Sequence, residues 1–265
     1  MKLKVCIAGA TGWVGEPLCM AVSEADDLSL VGAVSRTGKG AKLRDVVEGV
    51  ESDLIISGSV EEALNTPTDV LVDYTKADVV KANVLAAIRR QVHVVIGTSG
   101  LSEEDFAEIN HAAIESQVGV IAVGNFAITA ILLQRFACEA AKHLSHWEIV
   151  DYASDQKVDA PSGTARELAF RLSEIKKPEV THTIAETVGP KESRGTTLGG
   201  SQVHSIRLPG YVIALEVIFG ERDERLTLRY EAGTGAAPYI EPTLLAIRRV
   251  RDYVGLIRGL DKIMD

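Results

Sequence analysis

Lys2-Leu3-Lys4-Val5-Cys6-Ile7-Ala8-Gly9-Ala10-Thr11-Gly12-Trp13-Val14-Gly15, close to the N-terminus, changes character halfway along. Leu3, Val5, Cys6, Ile7 and Ala8 form a nearly continuous apolar run, the pattern of a strand buried on both faces at the centre of a parallel sheet. Gly9 to Gly15 then reads GxxGxxG. Glu16 to Glu24 follows with helical character, and Pro17 falls early enough to be tolerated in a first turn. Glycines at such a place let the backbone turn sharply and approach a pyrophosphate, whose charge meets the positive end of the helix. A glycine pattern alone is weak; its position between a first strand and a first helix gives it weight. The expectation is an α/β fold with a Rossmann-like parallel sheet and a dinucleotide at Gly9, Thr11, Gly12, Trp13 and Val14.

The segments that follow extend the same pattern. Leu28 to Val34 reads as a second strand and ends in Ser35-Arg36-Thr37-Gly38-Lys39. An acid at this strand end would bind the ribose 2′-hydroxyl of NAD. None is present, and Ser35, Arg36 and Lys39 offer a hydroxyl and cations to a 2′-phosphate, which predicts NADPH over NADH; an exposed polar turn is the alternative. Asp69 to Thr75 and Val92 to Ile96 read as buried strands, with a helix from Ala77 to Arg90 between them. Ligands of open α/β sheets sit beyond the carboxyl ends of the strands, which makes Tyr74, Thr75 and the turn Gly97-Thr98-Ser99-Gly100 candidates for the nicotinamide end. Ser102 opens an acidic-first-turn helix running to Ser116. Val118 to Val123 is the next strand, ending in Gly124-Asn125-Phe126.

An apolar helix from Ile131 to Leu144 and a strand from Glu148 to Tyr152 lead to Lys157-Val158-Asp159-Ala160-Pro161-Ser162-Gly163-Thr164-Ala165. Pro161 is suited to a position at or before a helix start, and Ala165, Leu168, Ala169 and Leu172 have amphipathic helical spacing. Ser162-Gly163-Thr164 would then be a helix N-terminus, where N–H groups, hydroxyls and the helix dipole favour an anion, with Lys157 nearby as charge or proton donor. An ordinary Ser/Thr cap preceded by a surface lysine is the alternative. Thr187 to Gly200, rich in Gly, Ser and Thr, reads as a mobile loop or lid. Strands over Gln202–Leu208, Val212–Phe219 and Leu226–Ala232 suggest an α+β second domain with a sheet covered on one face. Tyr239 to Leu260 reads as one last helix, with Leu244, Leu245, Ile247, Val250, Val254 and Ile257 at roughly helical spacing.

The 265 residues are enough for two medium domains, and 46% hydrophobic with 25% charged residues is the balance of a globular chain. A net charge of −9 argues against unspecific binding to nucleic acid or anionic membrane. Cys6, Cys19 and Cys138 are widely spaced in apolar surroundings, so neither a disulfide framework nor a metal site is expected. The sequence shows no signal-peptide pattern, and a cytoplasmic location is expected.

The glycine turn, Gly97-Thr98-Ser99-Gly100, Gly124-Asn125-Phe126 and above all the KxDAPSGTA segment from Lys157 to Ala165 together resemble the 4-hydroxy-tetrahydrodipicolinate reductase family of the diaminopimelate and lysine pathway. The resemblance spans essentially the whole chain. It implies hydride transfer from NADPH, or less favourably NADH, to a cyclic imine or enamine bearing carboxylates. It also implies a dinucleotide-binding domain of residues 1–126 and 236–265, and an inserted substrate-binding and oligomerisation domain, 127–235, with a mixed open sheet and a tetramer as the favoured assembly. By that likeness Gly9, Gly12, Trp13, Val14, Ser35, Arg36, Gly97, Thr98, Ser99, Asn125 and Phe126 would hold the cofactor. Ser162, Gly163 and Thr164 would hold a substrate carboxylate.

The chain departs from the family where the family carries a His-His pair just before its lysine, the first regarded as the acid or base. Here those positions read Ala153-Ser154. A histidine and an arginine of the family's last strands align with Tyr230 and Gly235. A general acid contributes about 10²- to 10⁴-fold, so Lys157 is the leading replacement, ahead of Asp155, Asp159 and Tyr152; His204 reads as a satisfied structural histidine. Three functions stay open: reduction of an altered carboxylated imine, the family reaction supported by Lys157 alone, and a non-catalytic nucleotide-binding or assembly role.

Overall fold

The computed structural model describes residues 2–264. In chain order the first elements are β1 (Leu3–Ala8), α1 (Gly15–Glu24), β2 (Leu28–Val34), α2 (Val60–Ala63), β3 (Val70–Asp73), α3 (Val80–Ile88), β4 (His93–Ile96), α4 (Glu103–Glu115) and β5 (Gly119–Ala122). Next come α5 (Ile128–His143), β6 (Trp147–Ala153), α6 (Gly163–Ile175), β7 (Thr196–Leu198), β8 (Ser201–Arg207), β9 (Ile213–Glu221) and β10 (Glu224–Glu231). The last are α7 (Ala237–Arg249) and β11 (Gly255–Arg258). They divide into two compact units, one of residues up to Ala127 and from Ala236 onward, the other Ile128–Gly235.

The first unit is built on a six-stranded parallel sheet in the order β11-β5-β4-β3-β1-β2. From β1 the chain moves outward to β2 and returns on the far side as β3, a reversal that opens a crevice beyond the carboxyl ends of the central strands. β3 and β5 are buried at every position, which is why their sequences lack the alternation of a half-exposed strand. Leu71, Val94 and Val120 meet Val80, Val84, Ile88 and Ile109 from α3 and α4 in one core; each such side chain contributes roughly 1.5–3 kcal/mol by leaving water. α4 starts with a reciprocal capping box, Asp105 N–H to Ser102 Oγ at 3.2 Å and Ser102 N–H to the Asp105 carboxylate at 2.9 Å.

The expected last helix ends early. α7 stops at Arg249, a short 3₁₀ turn covers Val250–Asp252, and the chain re-enters the sheet as β11 beside β5. Val250, Val254 and Ile257 imitate helical spacing, but Gly255 sits at φ +85° and Val254 is exposed. A side chain on Gly119, opposite Gly255 in β5, would place its Cβ 2.0 Å from the Val250 carbonyl oxygen. The sharp turn into β11 is thus fixed from both strands.

The second unit holds a mixed five-stranded sheet, β10-β9-β6-β8-β7, in which only β6 and β8 run parallel. β6 alternates strictly, burying Trp147, Ile149, Asp151 and Ala153. α6 packs on β6 and β8, and α5 on β9 and β10. Trp147 lies 5.7 Å from the Phe219 ring and donates its indole N–H to Ser201 Oγ at 2.9 Å. The expected lid over Thr187–Gly200 is partly regular structure: a 3₁₀ turn at Lys191–Arg194, then β7, which pairs with β8 through a two-residue hairpin. Gly199 and Gly200 both take positive φ, 57° and 92°, the requirement of a type I′ turn. Two of the segment's glycines thus form a tight turn.

Among the described residues no helix is long and apolar enough to cross a membrane.

Candidate active site

The glycine turn after β1 is shaped by close backbone approach. Gly9 takes φ +86°, and a Cβ there would lie 2.2 Å from the Tyr74 carbonyl oxygen; one on Gly15 would lie 1.9 Å from that of Gly9. Gly12 differs, since its Cβ would meet only the Gly9 carbonyl, at 3.1 Å, and otherwise open space. The turn is tied to β2 by the N–H groups of Gly9 and Ala10, both 3.0 Å from the Val34 carbonyl oxygen. α1 has no side-chain cap, which leaves its N-terminus available to an anion. Trp13 stands half exposed on the turn with its ring 5.3 Å edge-on to Tyr239 of α7.

At the end of β2, Ser35 is buried and braces two loops. Its Oγ lies 2.7 Å from Thr11 Oγ1 and accepts from the Gly38 N–H at 3.2 Å. Arg36 is exposed and has no acidic partner among the described residues, whereas Lys39 is drawn to Glu62 at 3.7 Å. Only Arg36 of the two cations is left uncompensated.

The turns after β3 and β4 are built around a residue absent from the sequence-based candidates. Asp73 is fully buried. Its Oδ1 accepts from Thr75 Oγ1 and Thr98 Oγ1, both at 2.7 Å, and from the Thr75 N–H at 3.0 Å; its Oδ2 accepts from Asn83 Nδ2 at 2.8 Å. Tyr74, by contrast, turns its side chain inward. The Thr243 hydroxyl donates to the Tyr239 carbonyl at 2.7 Å, so it accepts from the Tyr74 hydroxyl at 2.8 Å, and burial pushes the Tyr74 phenol well above its ordinary pKa. The ring rests 5.9 Å from Phe126, and a Cβ on Gly97 would come within 2.1 Å of it. Tyr74 and Phe126 therefore serve as packing around the turns. Ser99 is exposed. Asn125 is buried, its Oδ1 accepting from the Ala127 N–H at 2.9 Å, while its Nδ2 has no partner among the described residues.

These features fit a nicotinamide dinucleotide. Gly12 would cradle a pyrophosphate at the uncapped N-terminus of α1, Arg36 is an uncompensated cation after β2, and Asn125 carries an unsatisfied amide. Among the described residues no His, Cys, Asp and Glu cluster could hold a metal.

In the second unit Ser162 caps α6, its Oγ accepting from the Ala165 N–H at 3.3 Å. The N–H groups of Gly163 and Thr164 have no acceptor among the described residues, so the two donors remain open to a carboxylate. What fixes this end is Asp151, buried by the alternation of β6. Its Oδ2 accepts from the Ser162 N–H and from Arg207, each at 2.8 Å, and from Ser205 Oγ at 3.3 Å. Arg207 also donates to the Asp159 carbonyl at 2.6 Å, so one guanidinium holds both the loop and, through Asp151, the helix start. Sequence reading missed both residues. The available signal was an acid between Ile149 and Ala153 on an apolar strand face, which requires a buried partner.

Lys157 Nζ lies 2.7 Å from Asp159 Oδ1 in the same loop. Partial burial works to raise the pKa of Asp159, but the hydrogen bond and charge of Lys157 outweigh it and hold the carboxyl below its usual range. Ala153 is fully buried, and Ser154 spends its hydroxyl on Asp155 at 3.2 Å. Tyr152 points to the opposite sheet face from Asp151, where it bonds Glu216 at 3.3 Å under Arg229, so it does not join Lys157. His204 is paired with Glu148 at 2.7 Å, the expected structural role. Tyr230 is buried with its hydroxyl unpartnered among the described residues, and Gly235 has open space around it.

Comparison with known proteins agrees along the whole chain. Residues 3–126 match the family described as dihydrodipicolinate reductase, N-terminus, and residues 129–264 the one described as dihydrodipicolinate reductase, C-terminus. A 4-hydroxy-tetrahydrodipicolinate reductase of Desulfitobacterium hafniense is 36% identical over 100% of this chain and 99% of its own; that of Syntrophomonas wolfei is 34% identical over 99% of each. A dipicolinate-bound dihydrodipicolinate reductase from Paenisporosarcina sp. TG-14 superposes with a TM-score of 0.77 at 27% identity over 100% of both chains. An amine dehydrogenase from Mycobacterium smegmatis, 13% identical with a TM-score of 0.70 over 100% of this chain and 97% of its own, shares the fold. With the turn glycines, the KxDAPSGTA loop and both halves of the sequence in agreement, the chain belongs to the dihydrodipicolinate reductase family of NAD(P)H-dependent oxidoreductases.

Proposed function

We propose that the protein reduces a small carboxylated cyclic imine of the tetrahydrodipicolinate type, with NADPH as the preferred donor and Lys157 as the source of the proton. The observation that carries this is one loop holding both functions: the Lys157–Asp159 pair at 2.7 Å and, a few residues on, the open N–H groups of Gly163 and Thr164. The two N–H groups and the Thr164 hydroxyl receive a substrate carboxylate at the positive end of α6. Asp159 holds the Lys157 ammonium in place through their ion pair. NADPH, when bound, supplies the hydride that saturates the C=N carbon. As the imine nitrogen gains basicity, Lys157 gives up a proton to it and is recharged from solvent. Arg36 favours NADPH by meeting the 2′-phosphate. The protein acts as a homo-oligomer, with a tetramer as the expected state.

Two observations pull the substrate in different directions. Full-length identity of 36% to a 4-hydroxy-tetrahydrodipicolinate reductase favours that reductase's own substrate. The buried Ala153 and the occupied Ser154 where the family reading expects two histidines favour a different cyclic imine. NADPH oxidation, with the product of dihydrodipicolinate synthase offered beside a panel of cyclic imino acids, separates them. Turnover of the first compound alone establishes the relatives' reaction, and turnover of another imine alone a diverged one. Silence across the panel with NADPH still bound would leave the non-catalytic reading. In whichever assay is active, Lys157→Ala should lower kcat by about 10²-fold or more with NADPH affinity unchanged; undiminished turnover removes Lys157 from the mechanism.

A further inference from the structure

We propose that Asp73 is the positioning residue for the nicotinamide half of the cofactor, holding the turns after β3 and β4 in register through the hydroxyls of Thr75 and Thr98. The inference rests on the cofactor reading above and concerns a residue that touches neither substrate nor the reacting atoms.

Strand order supplies the first step. The pyrophosphate turn follows β1, and the 2′-phosphate cation Arg36 follows β2 on one side of it; β3 and β4 lie on the other side. A dinucleotide with its adenosine half over β2 places its nicotinamide half over the ends of β3 and β4. Those ends are the Tyr74-Thr75 and Gly97-Thr98 turns.

The geometry of Asp73 supplies the second step. Its Oδ1 takes three donors, two from Thr75 and one from Thr98. Thr98 Oγ1 in turn accepts from the Thr75 N–H at 2.8 Å. Each hydroxyl has one hydrogen to give, and both are given to Asp73, so what the two threonines can still present to a ligand is lone pairs. A nicotinamide carboxamide brings two N–H donors, the complement of such a surface. Asp73 therefore sets the position of the two hydroxyls and also the sense in which they can bond. Its Oδ2 is anchored from α3 by Asn83 Nδ2 at 2.8 Å, which fixes the carboxylate against rotation.

The arrangement permits a test by exchange. Asp73→Asn keeps one oxygen for the threonines but removes the charge to which both hydroxyls donate, and it turns an NH₂ toward Asn83, which can meet it only by flipping its own amide. Asn83→Asp in the same chain restores a donor opposite an acceptor. Binding is read by fluorescence titration with NADPH and, separately, with 2′-phospho-ADP-ribose, which has the same adenosine half and no nicotinamide.

Asp73→Asn should raise the NADPH Kd about tenfold, the scale of one hydrogen bond to a charged group, and leave the 2′-phospho-ADP-ribose Kd within about twofold; Asp73→Asn with Asn83→Asp should recover most of the loss. Should Asp73→Asn fail to fold, Thr98→Val, which removes one link and keeps the carboxylate, should show the same selective loss. An NADPH affinity unchanged in Asp73→Asn, or in Thr98→Val where that is the variant read, overturns the proposal, as does equal weakening of both ligands. Wild-type protein that binds 2′-phospho-ADP-ribose and NADPH equally tightly overturns it too, by showing no nicotinamide contact. If wild-type protein binds neither, the cofactor reading itself fails, a result distinct from the others.

Discussion

Arg207 and Asp151 show at the scale of single residues how the start of α6, the proposed substrate cradle, is held from behind. The Arg207 guanidinium reaches the Asp151 carboxylate and the Asp159 carbonyl at once, and Asp151 holds the Ser162 N–H. A planar group with several fixed donors can serve two acceptors in this way; an ammonium keeps the charge and loses the fork. Arg207→Lys should therefore keep the fold while loosening the loop, raising the imine KM by roughly tenfold with NADPH affinity unchanged. Arg207→Ala would leave Asp151 as a buried charge without compensation and cost about 3–5 kcal/mol, read as a lower urea midpoint. An imine KM unchanged in Arg207→Lys would show that the guanidinium has no part in setting the cradle. Ser162 was legible in the sequence because a helix cap is a local device: a hydroxyl, a preceding proline and an amphipathic run within ten residues. Asp151, Arg207 and Asp73 were not, because each acts on a partner brought to it by a different strand or turn. Alternation could place Asp151 on the covered face but could not say that Arg207 would meet it.

Neighbouring elements are joined by comparable devices, and one of them responds to pH. His93 begins β4, and its Nδ1 accepts from the N–H of Gly119 at the start of β5, at 2.9 Å. A ring nitrogen that accepts cannot also be protonated. Burial lowers the His93 pKa, the nearby charge of Arg251 lowers it further, and Asp69 opposes them in part. The unfolded chain then takes up this proton at a higher pH than the folded one. Stability from the contact is complete above the ordinary histidine value, near 6.5, and is lost as pH falls below it through the folded pKa. Urea midpoints between pH 8 and pH 5 should fall less steeply in His93→Gln, whose amide oxygen can take the same N–H without titrating; parallel slopes would remove His93 from the pH dependence. The elements themselves were read unevenly. Apart from β11, the strands of the first sheet stand out as short apolar runs ending in turns, and Ser102 caps its helix where expected. β7 was missed because a three-residue strand is too short to show a period, and β11 because Val250, Val254 and Ile257 continue the helical spacing of α7; in both regions the glycines identify the turn.

At the scale of the whole molecule, the first unit is made from two separated stretches of chain, and the second stretch is part of its structure. β11 covers the edge of β5 along Gly119–Ala122, α7 supplies Thr243 to the Tyr74 hydroxyl, and Tyr239 meets Trp13 at the glycine turn. A chain ending at Gly235 retains every residue of the second unit and every cofactor candidate named from the sequence, from Gly9 to Phe126. It loses the strand that closes the sheet, leaving the backbone of β5 as an open edge. It also leaves the phenol of Tyr74, buried beneath Gly97, without its acceptor, a cost of about 1–3 kcal/mol, and uncovers the apolar side of the sheet on which Leu244 and Ile247 are buried. Each loss is a sizeable fraction of the 5–15 kcal/mol by which a domain is ordinarily stable. The expected outcome is a protein that aggregates or unfolds without cooperativity and does not bind NADPH, measured by sedimentation, thermal melting and fluorescence titration against the full chain. If the shortened protein instead melted cooperatively and bound NADPH with full-length affinity, the cofactor fold would be complete by Ala127 and the final thirty or so residues an addition to it. The paired register of β5 with β11 argues for the former outcome, because a parallel strand buried on both faces has no way to satisfy an open edge except by pairing.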